Sequence, residues 1–112
     1  LQEEICYLND KTKDTFYHDT TSEAGDKAVS ECVPQSTASL ETPSHFVATD
    51  ISVPRTYVIC EIDRCIPVQG QLAMAGAMGD GVSVEKINAG HVPFLNEEAL
   101  PKIVEIVEKV AQ

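Results

Sequence analysis

The chain has 112 residues, 43% of them hydrophobic and 23% charged, enough for one domain that would bury about 60–70% of its unfolded surface if it folded alone. Eight basic residues against eighteen acidic ones give a formal net charge of −10, which argues against nucleic acid and anionic membranes as partners because both repel an acidic surface. There is no run of about 18 apolar residues and therefore no expected membrane span.

The four cysteines, Cys6, Cys32, Cys60 and Cys65, show no C-x-x-C spacing. The expectation is free, mostly buried thiols in a reducing, cytoplasmic setting rather than a zinc or redox motif. The sequence starts at Leu1 with no basic segment leading into an apolar one, so no signal peptide is expected. A start without methionine implies processing or a cut from something longer.

In chain order, residues 1–21 are polar and mixed, with Ile5, Tyr7 and Leu8 as a candidate short buried element. Phe16-Tyr17-His18 is the aromatic cluster. Thr21 or Ser22 is placed to cap a helix over 23–32, with Ala24, Ala28, Val29 and Cys32 along one side and Pro34 ending it. The Ser-, Thr- and Pro-rich stretch 35–43 reads as a connection between packed segments. Residues 45–52 read as loop or short helix.

From Val53 the pattern becomes regular. Residues 56–60 (TYVIC) form a continuous β-favouring run, expected to be a strand buried on both faces. Pro67 is suited to the first turn of a helix whose apolar content is Leu72, Ala73, Met74, Ala75 and Met78, broken by Gly79-Asp80-Gly81. Residues 82–87 make a second strand, and Gly90 leads into His91. Residues 101–111 form an amphipathic helix. Its apolar stripe is Ile103, Val104, Ile106, Val107 and Val110, and Glu105 and Lys109 form an i,i+4 pair.

Strand, helix, strand, helix is the order of one edge of a parallel α/β sheet. Two strands are not stable by themselves, so another chain or segment is expected to complete the sheet. A small independent α/β domain is the alternative.

Ligands of open α/β sheets bind beyond the carboxyl ends of the strands, and Asp63 and His91 both stand there. A carboxylate that accepts the imidazole Nδ1–H fixes the tautomer and leaves Nε2 facing a nucleophile. Taken singly, Asp63 also reads as a helix-capping carboxylate and His91 as a loop histidine bonded to backbone. Glu61 is a second candidate acid. Asn88 and Gly90 read as shaping the turn before His91, and His18 and His45 as solvated or hydrogen-bonding residues. No His, Cys or carboxylate cluster has metal-ligand spacing and no glycine-rich phosphate loop is present, so no metal or cofactor is expected.

Asp63-Arg64-Cys65-Ile66-Pro67 with Gln69 or Gln71, followed by Gly90-His91-Val92-Pro93-Phe94-Leu95, resembles the C-terminal part of an α/β-hydrolase, in the branch of plant-type methyl esterases, hydroxynitrile lyases and microbial esterases. The resemblance implies Asp63 as catalytic acid and His91 as catalytic histidine. Phe16-Tyr17-His18-Asp19, the helix after it and Val33-Pro34-Gln35-Ser36 resemble the second half of the lid. Residues 1–45 are thus expected to be lid and 46–112 core, with Phe16, Tyr17, Val92 and Phe94 lining the substrate pocket. Val92 stands where the lyases carry a lysine, which argues against cyanohydrin cleavage.

The G-x-S-x-G serine of that family is absent. Ser22, Ser30, Ser36, Ser39, Ser44, Ser52 and Ser83 all lie outside such a strand-to-helix turn, and Cys60 and Cys65 are poor substitutes. The implied partner is a separate N-terminal half carrying the serine, in a heterodimer or higher oligomer, acting on a small apolar ester, thioester or lactone. The alternatives are non-hydrolytic chemistry (lyase, decarboxylase or cyclase) with His91 as acid/base, and a non-catalytic remnant that binds a ligand or partner.

Overall fold

The computed structural model describes residues 4–112 as a mixed α/β chain. Two parallel strands organise its second part. Strand β3 (Arg55–Cys60) pairs with β4 (Val82–Ile87) in a register that runs from Arg55 opposite Val82 to Cys60 opposite Ile87. Thr56, Tyr57, Val58 and Ile59 favour an extended backbone because β-branched and aromatic side chains pack well on a pleated surface.

The crossover is α4 (Val68–Ala77), with Pro67 in extended conformation at its N-cap rather than inside its first turn. It stops at Gly79 and Gly81, both left-handed at φ 88° and 77°, a conformation glycine adopts without steric cost. Arg55 staples the start of β3 to this turn. Its guanidinium donates to the carbonyls of Ala48 at 2.9 Å, Asp80 at 2.7 Å and Met78.

Helix α5 (Leu100–Val110) packs against β4. The core is small: Cys60, Ile87, Ala89, Ala99 and Ile106, with Val58 and Ile103 partly buried against it. The expected five-residue stripe of α5 is only partly covered, since Val104, Val107 and Val110 remain exposed. The expected Glu105–Lys109 pair does not form. Lys109 reaches across to Glu85 on β4 at 2.9 Å, and Lys102 takes Glu105 at 3.0 Å.

The N-terminal segment contains β1 (Ile5–Cys6), α1 (Thr12–Tyr17), α2 (Ser22–Glu31), β2 (Gln35–Ser36) and α3 (Thr37–Glu41). Ile5, Tyr7 and Leu8 do not form a buried element. All three are exposed, because the antiparallel β1–β2 pair lies at the surface. Thr21, not Ser22, caps α2, its side chain accepting the Ala24 N–H at 3.2 Å. Stretch 35–43 is more ordered than a plain connection, holding both β2 and α3. Residues 48–50 form a single 3-10 turn.

The described sheet is open. Among the described residues β3 has no strand on its second edge. Instead of being buried on both faces along its length, it is buried only at Ile59 and Cys60. An apolar groove of about 360 Å³ runs between Thr56 and Val58 of β3 and Ile106, Val107 and Val110 of α5. Helix α4 buries only Gln71 and Ala75 and leaves Leu72 and Met74 about half exposed. The accessible surface of 8302 Å² exceeds the roughly 6,100 Å² of a compact monomer of this mass. The radius of gyration is 16.0 Å, against about 13 Å for a compact domain of this length.

Candidate active site

Parallel pairing brings the ends of β3 and β4 together and continues past them. Glu61 N–H donates to Ile87 O at 2.9 Å and Ile62 N–H to Ala89 O at 3.2 Å. The two loops therefore leave the sheet side by side, with Asp63 on one and His91 on the other. The imidazole Nδ1 lies 3.0 Å from Asp63 Oδ2. The Asp63 side chain is 6% exposed and that of His91 30%.

The carboxylate divides its work between two oxygens. Oδ1 accepts the N–H groups of Cys65 at 2.7 Å and Ile66 at 3.0 Å, closing the turn before α4, while Oδ2 faces the histidine. Asp63 therefore does not cap α4 as the single-residue reading expected, since the N-cap Pro67 has no side-chain cap; its Oδ1 closes the turn before the helix while Oδ2 stands against the imidazole. Burial pushes the Asp63 carboxyl up, but hydrogen bonds from Ile66, His91 and Cys65 outweigh it and hold the group below the usual carboxylate range. With Asp63 ionised, Oδ2 can only accept, so the imidazole hydrogen of this contact is on Nδ1. Glu61, the other candidate acid, is exposed and not bonded to His91.

Gln71 fixes the loop from behind. Its buried amide accepts the Cys60 N–H and donates to the carbonyls of Cys60 and Ile66, each at 2.8 Å. Of the two glutamines in the acid motif, only Gln71 is buried, and Gln69 is exposed.

Of the four expected pocket residues, Phe16 meets the imidazole ring, whereas Tyr17 and Phe94 are engaged elsewhere or exposed. Phe16 packs edge-on against the His91 ring with centroids 5.1 Å apart and planes at 67°. The Tyr17 hydroxyl is engaged with Cys32 Sγ at 3.7 Å, and this bond, then burial and the Cys32 charge, push the phenol up. Tyr17 also borders an open cavity of about 440 Å³ with Asp10, Lys13, Asp14, His18 and Arg64. Val92 is half-buried, and Phe94 is exposed in the 3-10 turn Pro93–Leu95. His45 is exposed, whereas Nδ1 of His18 is buried without a hydrogen-bond partner among the described residues.

Among the described residues no serine or cysteine is hydrogen-bonded to His91. Burial first, then the charges of Asp63 and Asp19, pushes the Cys60 thiol up. Burial and then Asp63 do the same to Cys65. Both therefore stay protonated at neutral pH, the opposite of an activated nucleophile. Also among the described residues, no group of three or more His, Cys, Asp or Glu side chains is placed to hold a metal ion, and no helix is long and apolar enough to cross a membrane.

Asp19, expected only as part of the lid-like stretch, is not among the site residues that the sequence suggests. It stands beside the aromatic cluster in the sequence and contacts the His91 loop in space, accepting the Gly90 N–H at 2.6 Å and a hydrogen from Asn96 Nδ2 at 2.9 Å. Gly90 does not have a positive φ; in the turn that leads to His91 its missing side chain leaves room for Asp19, whose Oδ1 would lie 2.5 Å from a Cβ there.

No protein-family model matches the chain, and no solved structure does. The chain is similar to the alpha/beta hydrolase nvfD of Aspergillus novofumigatus (strain IBT 16806), at 29% identity over 102 residues. The match takes in 91% of this chain and 40% of that protein, so the chain spans about two fifths of its relative. The similarity supports an α/β-hydrolase relationship.

Proposed function

We propose that these 112 residues are the C-terminal part of an α/β-hydrolase-type enzyme and supply the acid and histidine of a Ser-His-Asp triad. His91 Nε2 takes the proton of a serine carried outside these residues, on an N-terminal half, and returns it to the leaving group. Asp63 orients His91 and stabilises its imidazolium form. Residues 1–45 form the second half of the lid and residues 46–112 the end of the core. The substrate is a small, largely apolar ester, thioester or lactone.

The observation that carries this reading is the 3.0 Å Asp63–His91 contact beyond the ends of two adjacent parallel strands, with Nε2 free to face a nucleophile. The open sheet supports the missing half. An excess of some 2,000 Å² over a compact monomer is more than the roughly 800 Å² that each partner buries in a standard-size interface. An apolar helix exposed on several sides, as α4 is, also belongs in a larger interior.

The test is denaturing intact-mass analysis of the native protein, with fluorophosphonate labelling and hydrolysis of p-nitrophenyl butyrate. The expected result is a second polypeptide labelled at a G-x-S-x-G serine, and hydrolysis that His91→Ala abolishes. A lone, monomeric, cooperatively folded chain would overturn the proposal, as would hydrolysis indifferent to both His91→Ala and Asp63→Asn.

A further inference from the structure

We infer that Asp19 is a positioning residue for His91, acting through the backbone of Gly90 and the side chain of Asn96. The inference rests on the proposed role of His91.

One oxygen, Asp19 Oδ2, accepts both the Gly90 N–H at 2.6 Å and the Asn96 amide at 2.9 Å. Both distances are at or below the usual N–H···O length, close enough to fix the position of the groups they join. Asn96 passes the constraint on, its Oδ1 accepting the N–H groups of Glu98 at 3.0 Å and Ala99 at 3.1 Å at the entry to α5. A single carboxylate thus holds both ends of the loop 90–96, and His91 is the first residue inside it.

Gly90 shows how closely the two segments are fitted. It is buried and its φ is not positive, so backbone freedom does not explain a glycine here. A Cβ at this position would lie 2.5 Å from Asp19 Oδ1 and 2.9 Å from His18 Cε1. The missing side chain is what lets the carboxylate approach.

Two neighbours of Asp19 act on the same pair of loops. Phe16 lies against the His91 ring, and Asp14 pairs with Arg64, the residue after Asp63. The short stretch 14–19 therefore touches the acid loop at one end and the histidine loop at the other. A residue that merely attached the N-terminal segment would influence stability. One that sets the entry of the loop would move the imidazole relative to Asp63.

The test uses the native protein with whatever chain accompanies it, and two readouts. One is the low-field Nδ1–H proton resonance of His91, identified by its absence in Asp63→Asn. The other is kcat and KM for p-nitrophenyl butyrate, with thermal melts to confirm folding. In Asp19→Ala the resonance shifts or disappears and kcat falls about 10²-fold, the usual result of a misplaced catalytic group, while KM stays within about twofold. Asp19→Asn retains both readouts, because its amide oxygen can accept the same two bonds.

If Asp19→Ala fails to fold, Gly90→Ala gives the same losses by forcing the carboxylate aside. An unchanged resonance and kcat in folded Asp19→Ala would overturn the inference. So would an Asp19→Asn variant as impaired as Asp19→Ala, since charge rather than position would then be at work. If the wild-type protein hydrolyses nothing, the proposed reaction fails, and the resonance alone still decides the role of Asp19.

Discussion

Replacing Asp63 by asparagine separates the two jobs of its carboxylate. The amide oxygen can still accept the Cys65 and Ile66 N–H groups that Oδ1 accepts at 2.7 and 3.0 Å. The amide nitrogen then stands where Oδ2 stood, 3.0 Å from His91 Nδ1. Two donors cannot face each other, so Nδ1 becomes the acceptor and the imidazole hydrogen moves to Nε2. The lone pair needed to take a serine proton is lost, and so is the charge that stabilises the imidazolium.

The same exchange in serine proteases lowers kcat about 10⁴-fold, or about 5 kcal/mol of transition-state stabilisation at 1.36 kcal/mol per decade. KM should change little if Asp63 does not touch substrate. Asp63→Ala has a further cost. It orphans two backbone N–H groups beside a 6%-exposed side chain, at about 1–3 kcal/mol each. The assay pairs p-nitrophenyl butyrate kinetics of the purified protein with denaturant unfolding of all three forms. A folded Asp63→Asn that keeps more than about a tenth of wild-type kcat would refute the tautomer argument. Equal destabilisation by Asn and Ala would refute the division of labour between the two oxygens.

Gln71→Leu keeps the volume but leaves Cys60 N–H, Cys60 O and Ile66 O without the amide that pairs them at 2.8 Å. Denaturant unfolding should show a loss on the order of 2–4 kcal/mol, and no change in the midpoint would mean that these groups find other partners. Because the Asp63 carboxyl is held below its ordinary value, its contribution to stability is full above about pH 4. It drains away as pH falls through that value towards the folded-state one, so the acid limb of a melting-temperature profile should flatten in Asp63→Asn. Cys60 and Cys65, whose thiols are pushed up by burial and by Asp63, should react with iodoacetamide at neutral pH far more slowly than exposed Cys6. Peptide mass mapping reads the order, and preferential labelling of Cys65 would contradict it.

Strands β3 and β4 were legible because their β-branched runs have few other ways to be buried. Once the two strands are parallel neighbours, the meeting of Asp63 and His91 follows from chain order. Helix α1 was not legible. Its sequence TKDTFY has no apolar period, and it forms where it packs against α2 at the buried Gly25, with Tyr17 and Lys13 beside the absent Cβ. Strands β1 and β2 are two residues each and pair Ile5 with Ser36 and Cys6 with Gln35, too short and too distant in the chain to leave a local signal. Lys109 was misassigned because the i,i+4 rule considers one helix at a time, and a strand carboxylate, Glu85, lay within reach. Gly90 looks like any turn glycine until Asp19, 71 positions earlier in the chain, is seen against it.

The open edge of β3 and the Asp63–His91 contact have a common origin in the register. Glu61 turns its N–H towards β4, so Cys60, one residue earlier, turns its N–H and C=O the other way. Gln71 takes both of these groups, as a neighbouring strand would. Thr56 and Val58 turn the same way, but among the described residues no strand meets them. They border the apolar groove instead. An added parallel strand can therefore pair along β3 only as far as Val58, since the amide of Gln71 already occupies the next place. The acid loop is closed by this chain's own side chain, whether or not the sheet is extended. That is why the acid and the histidine can stand in contact at the rim of an incomplete sheet.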